Sequence, residues 1–393
     1  MSKVLIADST YETCREAVAQ AFSTFPVDVH GKKVAVKVNA LKAGDPDRQA
    51  YVTHYKLVEA VVAKLASFQP AQIVVGDSVG TEFYGNSEHV FEVTHLKKAA
   101  GPYYRNFSKS LTVVKLDRPF KRKVAVLKDV LDADVYISMP KMKTHGLTIL
   151  SGSVKNNFGL LAGAQKSWYH YFSVKPEIFA WIVVEMFRLR PPDLVIMDAI
   201  LAMEGYGPSS PETRWVNKVL ASDDPVALDT VQAKIVGLKP DDIPYLGIAR
   251  DLGLGETDFS RIETIGDAST IQEYHRPTPP EASYSYKAGV GDGKTSIEYY
   301  RQRVAYRPVI SPERCRYKQG CTACMDICPA GALSQGDDLP AKDVSKCMLC
   351  SACKEVCEFL ALEFFPCQEL MTTLAKQKVP SLEAQHLNGH WES

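Results

Sequence analysis

The segment CTACMDICPAGALSQGDDLPAKDVSKCMLCSACKEVC, Cys321 to Cys357, holds seven of the chain's ten cysteines, and Cys315 stands just upstream. Thiols at this density are not packing residues. The second run reads Cys347-x2-Cys350-x2-Cys353-x3-Cys357, and the first reads Cys315-x5-Cys321-x2-Cys324-x3-Cys328-Pro329. Steps of x2 let three soft thiolates converge on three irons of a cubane, while the fourth cysteine of each run reaches across to the other cluster. On that logic one [4Fe–4S] cluster takes Cys315, Cys321, Cys324 and Cys357, and the other takes Cys347, Cys350, Cys353 and Cys328. Zinc would use the x2 pairs but leaves both x3 arms unexplained. Disulfides need an oxidising compartment, and no signal peptide is visible. A purely structural cluster is compatible with the same spacing. The widened first step, RYKQG, needs a turn that Gly320 supplies; without Cys315 that cluster would be [3Fe–4S]. Cys14 and Cys367 read as ordinary residues.

The two-run framework resembles the bacterial two-cluster ferredoxin module over about residues 310–367. It follows a long body that holds a single cysteine. A chain of 393 residues has room for two or more domains, and 46% hydrophobic residues support a core. Lys and Arg number 46 against 46 Asp and Glu, so bulk attraction to nucleic acid or membrane is not expected. MSKVLIADST is too polar for a secretory signal, and FAWIVVEMF is too short to span a bilayer. The expectation is a cytoplasmic protein in a reducing, anaerobic setting.

Residues 1–265 alternate apolar β-branched runs (VLIA, KVAVKV, QIVVGD, LTVVKL, DVYIS, DLVIMD, KVLAS) with helical stretches such as HYKLVEAVVAKLASF and PVALDTVQAKIVG. In the first of these stretches apolar residues recur at i, i+3, i+4 and i+7. The fold class expected is α/β, a mostly parallel sheet with helices on both faces, plus a small α+β ferredoxin-like domain. Ligands of such sheets bind beyond the carboxyl ends of strands. Asn39, Asp77 and Asp198 stand at such ends. Residues 266–309 are rich in Pro, Gly, Ser and Tyr and read as a linker or irregular extension. AGVGDGKT within them mimics a phosphate loop but lacks the preceding buried strand. Residues 310–367 are the cysteine domain and 368–393 a tail.

From Val135 to Pro176 there is no Asp or Glu, yet Lys141, Lys143, Lys155, Lys166, Lys175, His145 and His170 are present. The tract Arg105–Lys128 adds eight Lys/Arg against Asp117 alone. Lys141, Lys143, Thr144, His145 and Gly146 directly follow a predicted strand, and Lys155, Asn156 and Asn157 sit on or near a helix. Cations and donors at a strand end suit a small anion or a developing oxyanion. The competing readings are a docking face for an acidic redox partner and a solvated basic face.

PKMKTHGLTILSGSVKNNFG, IMDAILAMEGYGPSSP, ASDDPVALDTVQAKIVGL and LGIARDLGLGETD together resemble the uncharacterised iron–sulfur centre protein family, domain of unknown function 362, over about residues 3–265. The resemblance implies an iron–sulfur oxidoreductase, with flavin-like or deazaflavin cofactors as a lead. It also places family blocks on Lys141, Lys143, Thr144, His145, Lys155 and Asn156, and acidic blocks on Asp198, Glu204 and Asp229. The expected protein takes electrons from a ferredoxin-like donor and reduces a small anionic substrate or ring cofactor. Lysines and Asn156 hold the anion, His145 supplies a proton near its ordinary pKa, and Asp198 or Glu204 orients or relays. Lys143 is expected to face solvent. An electron-transfer adaptor docking through its basic face and a non-redox enzyme with structural clusters are the alternatives, and a homodimer is compatible with either.

Overall fold

Eleven strands organise the body: β1 (Ser2–Asp8), β2 (Lys33–Lys37), β3 (Gln72–Gly76), β4 (Leu111–Leu116), β5 (Arg122–Leu127), β6 (Val135–Ser138), β7 (Lys141–His145), β8 (Ile149–Ser151), β9 (Leu194–Met203), β10 (Thr213–Ser222) and β11 (Ile262–Gly266). The structure is a computed structural model that describes residues 1–80, 84–173, 175–275, 289–290 and 294–376. The central sheet runs β11-β1-β10-β9-β6-β2-β3. Pairing is parallel for β11/β1, β9/β6, β6/β2 and β2/β3, while β10 runs antiparallel to both its neighbours. The α/β expectation with a mostly parallel sheet holds. Its apolar runs explain why: Val34 and Val36 bury into one core and Ala35 into the other, so both faces of β2 are covered.

Helices Cys14–Thr24 and Tyr55–Ser67 cover one face. Helices Pro176–Leu189, Pro225–Ile235 and Pro244–Asp251 cover the other. The start of Pro225–Ile235 is written in its sequence. Asp224 accepts from the Val226 and Ala227 amides at 3.0 Å, and Pro225 occupies the first turn, where no amide is needed. Two of the expected strands pair outside the parallel pattern. LTVVKL leaves the central sheet and pairs with β5 as a separate hairpin. KVLAS lies in β10, the antiparallel strand.

β6 and β7 share β9 as partner, with Met139-Pro140 between them. β6 pairs with Leu194 and Val195, and β7 continues along Asp198 to Met203 with a register shift between Lys141 and Lys143. Proline lacks the amide a continuous ladder needs. The break turns β7 over the carboxyl ends of β2, β3 and β6.

Within the expected linker or irregular extension, residues 276–288 and 291–293 lie outside the described residues. Gly289–Val290 pairs antiparallel with Lys294–Thr295, and both segments belong to the phosphate-loop mimic itself. Helix Ser296–Val304 then packs against helix Gln165–Phe172. The cysteine region is α+β: Tyr306–Ile310 pairs antiparallel with Leu362–Pro366, Leu333–Ser334 with Ala341–Lys342, and Ala323–Asp326 and Ala352–Glu355 are short helices. Within the expected tail, Gln368–Lys376 is a helix whose Leu374 packs with Tyr171 and Val304. Residues 377–393 lie outside the described residues.

Candidate functional site

The parallel register sets Lys37 opposite Gly76 and Ser138, so β2, β3 and β6 end at one level. A cavity of about 90 Å³ opens there, lined among others by Lys37, Asn39, Asp77, Ser78, Lys141, Lys143, His145, Lys155, Asn156, Lys166 and His170. Seven of the predicted ligand-binding or catalytic residues therefore meet in one pocket: Asn39, Asp77, Lys141, Lys143, His145, Lys155 and Asn156.

One polar chain ties the pocket floor together. Lys37 pairs with Asp77 at 2.8 Å and donates to Asn156 Oδ1 at 3.3 Å. Asn39 Nδ2 also donates to Asn156 Oδ1, at 3.4 Å, and Asn156 Nδ2 donates to Ser138 Oγ at 2.8 Å. Asn39 Oδ1 accepts from Lys143 at 2.7 Å, and Lys143 donates again to the Tyr51 carbonyl at 3.1 Å. Asp77 is saturated, since it accepts the Ala40 and Ser78 amides as well. Glycine at 159 leaves space for this chain: a Cβ there would stand 2.6 Å from Lys37 Nζ.

The lysines are inside the protein, which corrects the expectation that Lys143 faces solvent: Lys37, Lys141 and Lys143 are each at most 3% exposed. Buried cations lose hydration, so their pKa values fall unless a carboxylate answers them. Burial lowers Lys37 and Lys141, with Asp77 and Asp198 opposing. Burial, reinforced by Lys155, takes Lys143 well below the ordinary lysine range. Half-buried Lys155 is pushed down to about 7 by desolvation and by Lys37. Lys166, which donates to the Ser78 carbonyl, Ser78 Oγ and the Val79 carbonyl at 2.6, 2.9 and 3.0 Å, is pushed to about 7 by burial.

His145 departs from its expected role. Its Nδ1 accepts the Leu147 and Thr148 amides at 3.0 and 3.3 Å, which leaves the proton on Nε2. Burial first, then Lys155, His170 and Lys143, hold its pKa well below the ordinary value. It is a neutral imidazole at working pH, able to donate a hydrogen bond but not to act as an imidazolium acid. His170 donates from Nδ1 to the Lys166 carbonyl at 2.7 Å and stacks on Tyr300 at 4.9 Å.

Other predicted residues fall outside the pocket. Asp198 is fully buried beneath it, pairing with Lys141 at 2.8 Å and accepting the His54 amide at 2.9 Å. Glu204 accepts from Arg214 at 2.8 Å and from the His275 amide at 3.0 Å. Thr144 Oγ1 donates to the Gly205 carbonyl, and the Gly146 amide to that of Gly207. Asn157 accepts from Tyr136 and donates to the Arg190 carbonyl. Asp229 accepts the Ser153 and Val154 amides at 2.6 and 3.0 Å, seating the short helix that carries Lys155. Lys37, Lys166, His170, Tyr84 and Tyr300 line the pocket although none was singled out as a site residue. For Lys37 the signal was present: a lysine closing an apolar run of a strand buried on both faces has nowhere to go but a pocket or a pair.

The cysteines gather in two sets. Cys315, Cys321, Cys324 and Cys357 line one cavity of about 180 Å³. The widened step keeps Cys315 there, because Tyr317–Gln319 form a 3-10 turn closed by Gly320 at φ +89°. Cys353 lies within electrostatic reach of Cys350, Cys347 and Cys328, and also of Cys324 from the first set. That second set backs onto the body. Gly163, at φ +57°, lies so close to the Cys350 carbonyl that a Cβ would come within 2.4 Å of it. The Gly163 amide donates to Ser78 Oγ, on the pocket wall, at 3.2 Å. Among the described residues no three His, Cys, Asp or Glu groups converge on a single metal-ion position.

Residues 34–234 match the family described as domain of unknown function (DUF362). A thylakoid-associated protein of Synechocystis sp. is 32% identical over 239 residues, which cover 58% of this chain and 70% of that protein. Among solved structures, the lactate racemase apoprotein from Thermoanaerobacterium thermosaccharolyticum aligns with a TM-score of 0.39 at 11% identity, over 57% of this chain and 55% of that one. A Thermotoga maritima protein aligns with a TM-score of 0.35 at 14% identity, over 56% of this chain and 57% of that one. The chain thus spans just over half the length of each of these structures. Among the described residues no helix is long and apolar enough to cross a membrane.

Proposed function

Because the chain belongs to the DUF362 family, whose activity its name leaves open, we propose that it is an iron–sulfur oxidoreductase that reduces a small anionic molecule, or an anionic ring cofactor, in the lysine pocket. The observation that carries this reading is the contact between the two sites: the Cys350 backbone packs on Gly163, which hydrogen-bonds the pocket residue Ser78. Two [4Fe–4S] clusters, held by Cys315, Cys321, Cys324 and Cys357 and by Cys328, Cys347, Cys350 and Cys353, would supply single low-potential electrons from a ferredoxin-like donor. The donor sets fit such groups. A zinc site needs all its sulfurs about 2.3 Å from one ion, whereas a cubane spreads four thiolates over four irons.

The chain's own residues have three tasks. Lys143 and Lys155 bind the anion and offset the charge that reduction adds to it. Asn39 and Asn156 fix those cations through the hydrogen bonds above. His145 donates from Nε2, and a proton that follows the electrons comes from the Lys155 ammonium group, whose pKa of about 7 suits transfer near neutrality. The burial of these lysines favours this reading over a docking face, which needs its cations on the surface.

The experiment is anaerobic purification of the full chain, with iron and sulfide analysis and EPR before and after dithionite. About eight iron and eight sulfide per chain are expected. Cys353→Ser loses or converts one cluster, and Lys143→Met keeps both. Zinc in place of iron, or clusters that dithionite cannot reduce, would overturn the reading.

A further inference from the structure

The pocket contains five lysines and one carboxylate. Asp77 answers Lys37, and Asp198, from beneath, answers Lys141. Among the described residues no carboxylate pairs with Lys143, Lys155 or Lys166. Lys143 and Lys166 are held by neutral oxygens. For Lys155 the contacts are two ring faces, Phe158 at 5.7 Å and Phe179 at 5.8 Å. Three lysines without a carboxylate paired to them thus stand around one cavity, with Asp77 answering Lys143 and Lys166 only from a distance.

We propose that the pocket takes a small ligand bearing at least two negative charges on oxygen, as a phosphate or a pair of carboxylates does, and that the Lys155 ammonium group pairs with one of them. The inference rests on this pocket being the substrate site of the proposed oxidoreductase. A single charge would leave two of the three lysines without a partner in a desolvated site, where an unpaired charge is unfavourable. A neutral ligand would gain nothing from them.

The groups facing Lys155 are known from every side. They are Lys37 on β2, Asp77 beyond β3, Lys141, Lys143 and His145 on β7, Lys166 and His170 on helix Gln165–Phe172, the phenols Tyr84 and Tyr300, and, behind the short helix, Asp229 on helix Pro225–Ile235. Both histidines are held neutral by burial, His170 down to about 3. Among the pocket lysines, burial brings Lys155 and Lys166 each to about 7, and behind the short helix that carries Lys155 burial raises Asp229 to about 6. An anion beside an ammonium group raises its pKa. By linkage the complex binds more protons than the free protein above pH 7. Binding of the dianion takes up protons at pH 8, takes up fewer from Lys155 and Lys166 at pH 5.5, and weakens as pH rises above 7.

The test is titration calorimetry on the oxidised holoprotein in two buffers of different ionisation heat, at pH 5.5 and 8. The probes are sulfate, ethane-1,2-disulfonate and methanesulfonate, none of which titrates in this range. The expected result is at least about tenfold tighter binding of one dianion than of methanesulfonate, with proton uptake at pH 8. Lys155→Met should lose about tenfold in dianion affinity and part of the uptake. Iron and sulfide content in that variant should match wild type. Equal affinity for mono- and dianion, no dianion binding, no proton uptake at pH 8, or an unchanged Lys155→Met titration would each overturn the inference. Binding needs no electrons, so it fails independently of the iron, sulfide and EPR results that test the oxidoreductase.

Discussion

Lys141 shows how a residue can sit in a pocket wall without being free to act. Its ammonium group is 2.8 Å from Asp198 and 2.9 Å from the Tyr11 hydroxyl, and both members of the ion pair are at most 1% exposed. Asp198 spends its remaining capacity on the His54 and Ile200 amides. Such a pair contributes little net stability, but losing one member strands the other in a dry environment. Asp198→Asn should therefore cost about 3–5 kcal/mol in denaturant unfolding. The double variant Lys141→Met/Asp198→Leu should recover most of that loss. A double variant as unstable as Asp198→Asn would show that Asp198 acts mainly through the backbone amides. The sequence exposed the cations of this site but not their states. Absence of acid between Val135 and Pro176 located Lys141, Lys143 and Lys155 correctly as a group. It could not reveal that Asp198 and Asp77, distant in the chain, neutralise Lys141 and Lys37, or that two amides fix the His145 tautomer.

At the scale of elements, the short helix Ser153–Asn156 delivers Lys155 and Asn156, and it is too short to hold itself. Its first amides are bound by Asp229, which projects from helix Pro225–Ile235. Asp229 lies outside the pocket lining and is a positioning residue. Asp229→Asn turns one acceptor into a donor facing an N–H, at a cost of about 1–3 kcal/mol. Sulfate affinity at pH 7 should fall in Asp229→Asn, whereas Asp229→Glu should restore part of it. If both variants bind sulfate as wild type does, the helix is held by its apolar contacts alone. Elements were largely legible because strand and helix follow local periodicity: all seven apolar runs are strands, and both quoted helical stretches are helices. What local pattern cannot encode is partnership. Nothing within LTVVKL says that it pairs with β5 rather than with the sheet. Helix Ser296–Val304, in a stretch read as a linker or irregular extension, brings Tyr300 to the pocket through its packing on helices Gln165–Phe172 and Gln368–Lys376.

The whole molecule depends on how the cysteine region is seated on the body. Glu355 is the anchor: its carboxylate is buried and accepts the Ser87 hydroxyl at 2.6 Å, the Ser87 amide at 3.1 Å and Asn106 Nδ2 at 2.9 Å. Burial raises its pKa, and those donors pull it back down. Gly163 is the fulcrum, because its positive φ and missing Cβ allow the backbone of Cys350 to lie against the pocket wall. Lys354 adds an outer contact over Gly85. Each buried donor left without Glu355 costs about 1–3 kcal/mol, and none of that penalty falls on the internal packing of either unit. The expected consequence of Glu355→Ala is loss of coupling rather than loss of fold. Wild-type holoprotein should melt in one calorimetric transition. The variant should melt in two, and proteolysis should open the chain between body and cysteine region. Iron and sulfide content should stay at the wild-type level, since Glu355 is not a cysteine ligand and its side chain points into the body. With the proposed clusters in place, reduction by dithionite should be unaffected, while electron delivery to a pocket-bound acceptor should slow. A variant that keeps a single transition would place the seat of the module elsewhere, at Gly163 and the apolar contacts of helix Gln368–Lys376. Gly163→Val would then be the change that separates the two units.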